Sequence, residues 1–165
     1  MKTLLFVRHA KSSWDDPELS DFERPLNGRG LKDAPFMAAL LSGKMDKPDK
    51  IVSSPATRAI TTAKFFAKAF KIEEKEILTD RNIYEASTSA LLNVIRWLDE
   101  DWKTVLIFGH NPAFTDVVNQ LSPKTSIFNI PTCGICEITT TADTWLKISS
   151  YNSSLKNHYF PKEFH

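Results

Sequence analysis

Four short apolar runs punctuate the first two thirds of the chain, and the segments between them carry helical periodicity. The runs are Thr3 to Val7, Lys50 to Ser53, Glu76 to Thr79 and Val105 to Phe108. Each is too short for an ordinary helix and is bounded by polar or turn-forming residues, so each reads as a strand. Strands alternating with amphipathic helices predict the order β-α-β-α-β-α-β-α. Parallel neighbours need long crossovers, and crossover helices cover the sheet, so the expected architecture is an α/β/α sandwich around a mostly parallel sheet. The 165 residues suit one domain over the whole of 1–165. A chain of this size buries roughly 68–70% of its unfolded surface, which is enough for a core without staples.

The intervening helices have readable ends. In "SSPATRAITTAKFFAKAF", Ala59, Ala63, Phe66 and Phe70 form one stripe, with Ser54 expected as N-cap and Pro55 in the first turn. Asn111 and Pro112 repeat that pattern ahead of Phe114, Val117 and Leu121. The helix carrying Leu91, Ile95 and Leu98 is expected to begin near Ser87 or Thr88. "NGRGLKDAPFMAALLSG" is less regular. An interior Pro35 costs about 3 kcal/mol or bends the helix, so either a bend or a start near Asp33 is expected. Asn27 reads as a turn or helix-start residue and Gly43 as the stop. Beyond Leu121, "CGICEITT" and "WLKISS" predict an antiparallel C-terminal hairpin around "TADT", and a tail of about 151–165 packs back on the domain.

Charge narrows the function. The 21 basic and 20 acidic residues leave a net charge of +1, without the basic excess that nucleic-acid binding requires. The N-terminus lacks a signal-peptide pattern and no apolar stretch approaches a membrane span, so a cytoplasmic protein is expected. Cys133 and Cys136 make a C-x-x-C, but positions three apart on a strand face opposite ways and no second cysteine pair exists. Two small buried residues are expected there.

The chemistry-bearing residues stand where the strands end. Arg8 and His9 follow the first run, Arg58 the second, Arg81 and Glu85 the third, and His110 the fourth. In parallel α/β sheets those ends share one edge, where ligands bind. Arg8 and Arg58 present planar forks suited to phosphate, and Arg58 lies in the first turn of a helix, where an anion is favoured. Two histidines among such cations lean to the neutral form. A neutral imidazole can attack phosphorus.

Taken together and in order, "FVRHAKSSW", "SSPATRAITTA", "IYEAS" and "GHNP" resemble the histidine phosphatase superfamily, in particular its compact SixA-type phosphohistidine phosphatase branch. The resemblance implies a phosphoglycerate mutase-like fold and a metal-independent phosphatase without cofactor. It implies His9 as the nucleophile, Arg8, Arg58 and His110 as the phosphate pocket, and Glu85 as general acid. Ser12 and Asn111 are possible phosphate donors, Lys11 and Trp14 a rim that meets substrate. His158 and His165 are assigned no chemistry.

The chain departs from the mutase branch at Ala10, where glycine is usual, and at Asp15, where asparagine is usual. An aspartate would repel a substrate phosphate, so Asp15 is expected to point away or to meet a cationic part of the substrate. The expected partner is a phosphohistidine-bearing protein. A small phosphate ester is the first alternative, and a phosphate- or phosphoprotein-binding module without turnover is the second. The absence of a G-x-G-x-x-G or P-loop after any strand argues against a nucleotide-binding domain.

Overall fold

The computed structural model describes residues 1–164; His165, at the end of the expected tail, lies outside the described residues. Six strands form one sheet: β1 (Lys2–Arg8), β2 (Lys50–Ser53), β3 (Leu78–Thr79), β4 (Thr104–Gly109), β5 (Ile135–Thr140) and β6 (Ser153–Tyr159). Their order across the sheet is β3-β2-β4-β1-β5-β6. The pairs β2–β3, β2–β4 and β1–β4 are parallel, whereas β5 runs antiparallel to both β1 and β6. The four helices are α1 (Gly28–Ser42), α2 (Thr57–Ala69), α3 (Thr88–Arg96) and α4 (Ala113–Leu121). Among the described residues, no helix is long and apolar enough to cross a membrane.

Alternation along the strands divides the core into two halves. Leu4, Phe6, Val52, Val105 and Ile107 pack with α3 and α4, while Leu5, Val7, Ile51, Leu106 and Phe108 pack with α1 and α2. Each such fully buried side chain contributes about 1.5–3 kcal/mol. Cys136 joins the first half and Cys133 the second, both as buried free thiols. Burial pushes both thiols up, Cys136 to about 12, so neither is a nucleophile at neutral pH.

Helix starts follow the sequence with two shifts. Asn27 caps α1 by accepting from Gly30 N–H, and the helix runs continuously across Pro35 rather than starting near Asp33. Ser87 caps α3 through Ala90 N–H. By contrast, α2 begins at Thr57 with Ala56, not Ser54, in the capping position. In α4, Pro112 occupies the capping position, and Asn111 Oδ1 accepts from Thr115 N–H and Oγ1–H one turn on.

The hairpin is antiparallel as expected, but its second strand is not "WLKISS". Trp145–Lys147 form a 3-10 turn, in which residues three apart share a side. Trp145 and Ile148 therefore both enter the core, at 0% and 1% exposure, which a strand would forbid. The tail instead supplies edge strand β6. A register shift between Glu137 and Ile138 lets Leu155 reach one half of the core and Tyr159 the other.

Candidate active site

The carboxyl ends of β1 to β4 meet at one edge of the sheet, and the loop after β1 is held there by backbone. Arg8 N–H donates to the Gly134 carbonyl at 3.1 Å and His9 N–H to the Gly109 carbonyl at 3.0 Å. Cys133, in the left-handed region at φ 60°, turns its N–H to the carbonyls of both Arg8 and His9. Further along the loop, Ala10 N–H donates to Thr62 Oγ1 at 3.0 Å, and Thr62 donates to the Arg58 carbonyl at 2.7 Å. The helix carrying Arg58 is thereby tied to the His9 loop. On the other side Gly30 packs directly on the Lys11 backbone, so closely that any Cβ would collide with the Lys11 carbonyl.

His9 is 7% exposed and donates from Nδ1 to the Ala10 carbonyl at 2.7 Å. Because a carbonyl can only accept, the proton resides on Nδ1 and Nε2 keeps its lone pair. Burial, reinforced by the positive charge of neighbouring groups, lowers its pKa to about 3. His110 lies with its ring centroid 5.2 Å from that of His9. Burial, with Arg58 next, lowers its pKa to about 4. Its Nε2 is 2.9 Å from Ser54 Oγ, and its Nδ1 is buried without a partner.

The two arginines are each half-used. Arg8 donates from Nη1 to the Ile130 carbonyl at 2.9 Å. Arg58 gives Nη1 to the Asp21 carbonyl and Nη2 to Asp21 Oδ2 at 3.0 Å. In both, Nε is buried and unpartnered. Tyr84 O–H donates to the same Asp21 oxygen at 2.6 Å. That bond first, then Arg58, holds the Asp21 carboxyl down to about 2. Arg24 completes the cluster, donating to Asp21 Oδ1 and Ser12 Oγ beneath the Trp14 ring, 3.4 Å away.

Of the residues singled out in the sequence, Arg8, His9, Arg58, His110, Ser12 and Asn111 line one cavity of about 260 Å³, with Lys11 and Trp14 at its wall. Glu85 is not among its lining residues; it is exposed and holds φ 53°. Asp15 is also exposed and does not line the cavity. Sequence reasoning passed over Asp21, Arg24, Tyr84 and Thr62. Thr62 left a signal, a hydroxyl between Ala59 and Phe66 on the buried stripe of α2. Asp21 and Arg24 left none, since a loop reading "SDFERPL" looks like any solvated connection. Among the described residues, no group of three His, Cys, Asp or Glu could hold a metal ion.

The depressed histidines make stability pH-dependent. Between the ordinary histidine value of 6.5 and about 4, the unfolded chain takes up protons that folded His9 and His110 refuse. Stability therefore falls on acidification through this window, by on the order of 2 kcal/mol between about pH 6 and 5 for the two rings. Urea unfolding at a series of pH values measures this. A flat profile there contradicts two buried neutral imidazoles.

Comparison with known proteins agrees with this geometry. The family model described as "Histidine phosphatase superfamily (branch 1)" matches residues 4–93. An uncharacterized chloroplastic protein of Arabidopsis thaliana is 30% identical over 152 residues, covering 87% of this chain and 69% of its own. The protein histidine phosphatase SixA, solved with tungstate, superposes with a TM-score of 0.83 at 19% identity over 99% of both chains. A mycobacterial glucosyl-3-phosphoglycerate phosphatase superposes with a TM-score of 0.72 at 14% identity over 95% of this chain and 98% of its own. A cavity with two buried histidines and two arginines at the strand ends, a family model covering more than half the chain, and a relative at 30% identity agree: this chain belongs to the histidine phosphatase superfamily.

Proposed function

We propose that the protein is a metal-independent phosphatase that transfers a phosphoryl group to His9 Nε2, with a phosphohistidine-bearing protein as its substrate. The observation that carries this reading is a set of buried nitrogens with nothing to bind. Four buried side-chain polar atoms among the described residues lack a partner, and three of them are Arg8 Nε, Arg58 Nε and His110 Nδ1. Buried polar groups are nearly always paired, so three orphans on residues lining one cavity call for an anionic ligand. His9, whose Nδ1 proton is held by the Ala10 carbonyl so that Nε2 keeps its lone pair, lines the same cavity.

The chemistry follows in two steps. The Nε2 lone pair forms a bond to phosphorus as the bond to the leaving atom breaks, and the leaving nitrogen or oxygen takes up a proton. Water then attacks the phosphorylated His9, releasing inorganic phosphate and restoring the bare Nε2. Catalysis of this kind rests on positioning and charge stabilisation, which the two guanidinium groups and His110 supply. The Nδ1–H bond to the Ala10 carbonyl keeps His9 in the attacking tautomer throughout. SixA, similar in fold, is described as a protein histidine phosphatase. The cavity also suits a bulky substrate, because Lys11 and Trp14 on its wall are exposed, Trp14 at 75%.

The test compares kcat/KM for a phosphohistidine-bearing protein with a panel of small phosphate esters, in EDTA, with His9→Ala as blank. The higher value is expected for the phosphoprotein. A higher value for one ester keeps the mechanism and overturns the substrate, and no His9-dependent turnover leaves a binding module.

Glu85 is proposed as proton donor to poor leaving groups only. It follows Tyr84, whose ring packs edge-on against His110 at 5.5 Å. Glu85→Gln should lower kcat/KM for an alkyl phosphate by about 10²-fold, the low end for general acid catalysis. Turnover of phosphohistidine, whose leaving imidazole needs little help, should stay within about twofold. Equal losses on both substrates rule out an acid role for Glu85.

A further inference from the structure

Ser54 does not do what its place in the sequence suggests. Its backbone N–H is fixed to the Phe108 carbonyl at 2.9 Å, and its side chain is fully buried. Two groups meet its hydroxyl: Ala56 N–H, which donates to Oγ at 3.2 Å, and His110 Nε2 at 2.9 Å. The amide uses an oxygen lone pair and leaves the hydroxyl hydrogen to be placed. His110 Nε2 is the acceptor at hand. If Nε2 carried the proton instead, the Ser54 oxygen would accept twice and its own hydrogen would be buried without a partner, at the full desolvation cost of an unmade bond.

We infer that Ser54 is a positioning residue that locks His110 in the Nδ1–H tautomer, so that His110 offers a hydrogen-bond donor, not a lone pair, to a phosphoryl oxygen. The inference rests on the reading of the cavity as a phosphoryl pocket. It accounts for the unpartnered Nδ1 on a ring that lines the cavity. Because His110 is neutral at physiological pH, the choice of tautomer is a real one.

Seen this way, the two histidines of the site share one tautomer and do opposite work. In His9 the Nδ1 proton is held by the Ala10 carbonyl and the bare Nε2 is left to attack. In His110 the bare Nε2 is held by the Ser54 hydroxyl and the Nδ1 proton is left to bind. A carbonyl can fix only the first arrangement and a donating hydroxyl only the second. The pairing of partner with role is therefore chemically specific.

The test reads the tautomer directly. Two-bond ¹H–¹⁵N correlation spectra of uniformly labelled protein near neutral pH distinguish protonated from bare ring nitrogens, with His110 assigned by its loss in His110→Asn. The wild type should show a protonated Nδ1 and a bare Nε2. Ser54→Ala should give a mixture of tautomers and weaken inorganic phosphate binding roughly 3- to 10-fold, the worth of one hydrogen bond. A protonated Nε2 in the wild type overturns the inference, as does a tautomer unchanged in Ser54→Ala. Unchanged phosphate affinity in a variant whose tautomer has shifted overturns it too. The wild-type spectrum decides even if Ser54→Ala fails to fold, and failure of every phosphate compound to turn over sinks the enzymatic reading without touching the tautomer.

Discussion

Replacing His9 with alanine is expected to abolish turnover while inorganic phosphate still binds. The expected loss in kcat is on the order of 10⁴-fold or more, in line with removal of nucleophiles that work as part of a unit. Phosphate binding should survive because its proposed donors lie elsewhere: Arg8 Nε, Arg58 Nε and His110 Nδ1 are untouched by the substitution. The fold should survive too. The side-chain bond given up is to the adjacent Ala10 carbonyl, while the loop itself is held by Cys133 N–H and Thr62 Oγ1. Steady-state kinetics beside phosphate titration check both halves. Normal rates in the variant remove His9 as nucleophile, and lost phosphate binding shows that the imidazole was a binding group.

Arg58→Ala should be nearly as damaging, but in a different way. Its guanidinium lines the cavity and brings positive charge that depresses both histidines. A phosphoryl group in flight spreads its charge over three equatorial oxygens that a guanidinium binds, so losing this group should raise KM and lower kcat together. Loss of an arginine serving a transferring phosphoryl group costs about 10³–10⁵-fold. Arg58→Lys should not restore activity, because an ammonium on a flexible stem cannot hold Asp21 through two nitrogens and keep a third for the substrate. Asp21 tolerates the substitution, because its side chain is 47% exposed and keeps its bonds from Tyr84 and Arg24. Circular dichroism of the variant separates catalysis from folding. An unchanged kinetic profile contradicts a role for Arg58 in the pocket.

What the sequence made legible follows from how each feature is encoded. Strands β1, β2 and β4 were readable because buried parallel strands are continuous apolar runs, and the four residues at their ends stood out as charged or imidazole groups where a core should continue. Strand β6 was not, because an edge strand with one wet face carries Ser154, Lys156 and His158 and little apolar signal. Trp145 and Ile148 misled for the opposite reason, since two buried apolar residues look strand-like until a 3-10 turn puts them on one side. Ser54 is the instructive case. Local rules made it a helix cap, but besides the Ala56 amide its hydroxyl meets a partner 56 residues away in sequence. Asp21 and Tyr84, 63 residues apart, meet only through the fold. No local pattern encodes such pairs.

The central claim is the covalent intermediate, and trapping it is the most direct measurement. Protein mixed with a ³²P-labelled phosphohistidine protein, quenched within the first turnover and digested under alkaline conditions that spare phosphoramidates, should yield label on the peptide carrying His9. The His9→Ala protein should yield none. Label on any other residue, or full turnover with His9 never labelled, contradicts transfer to His9.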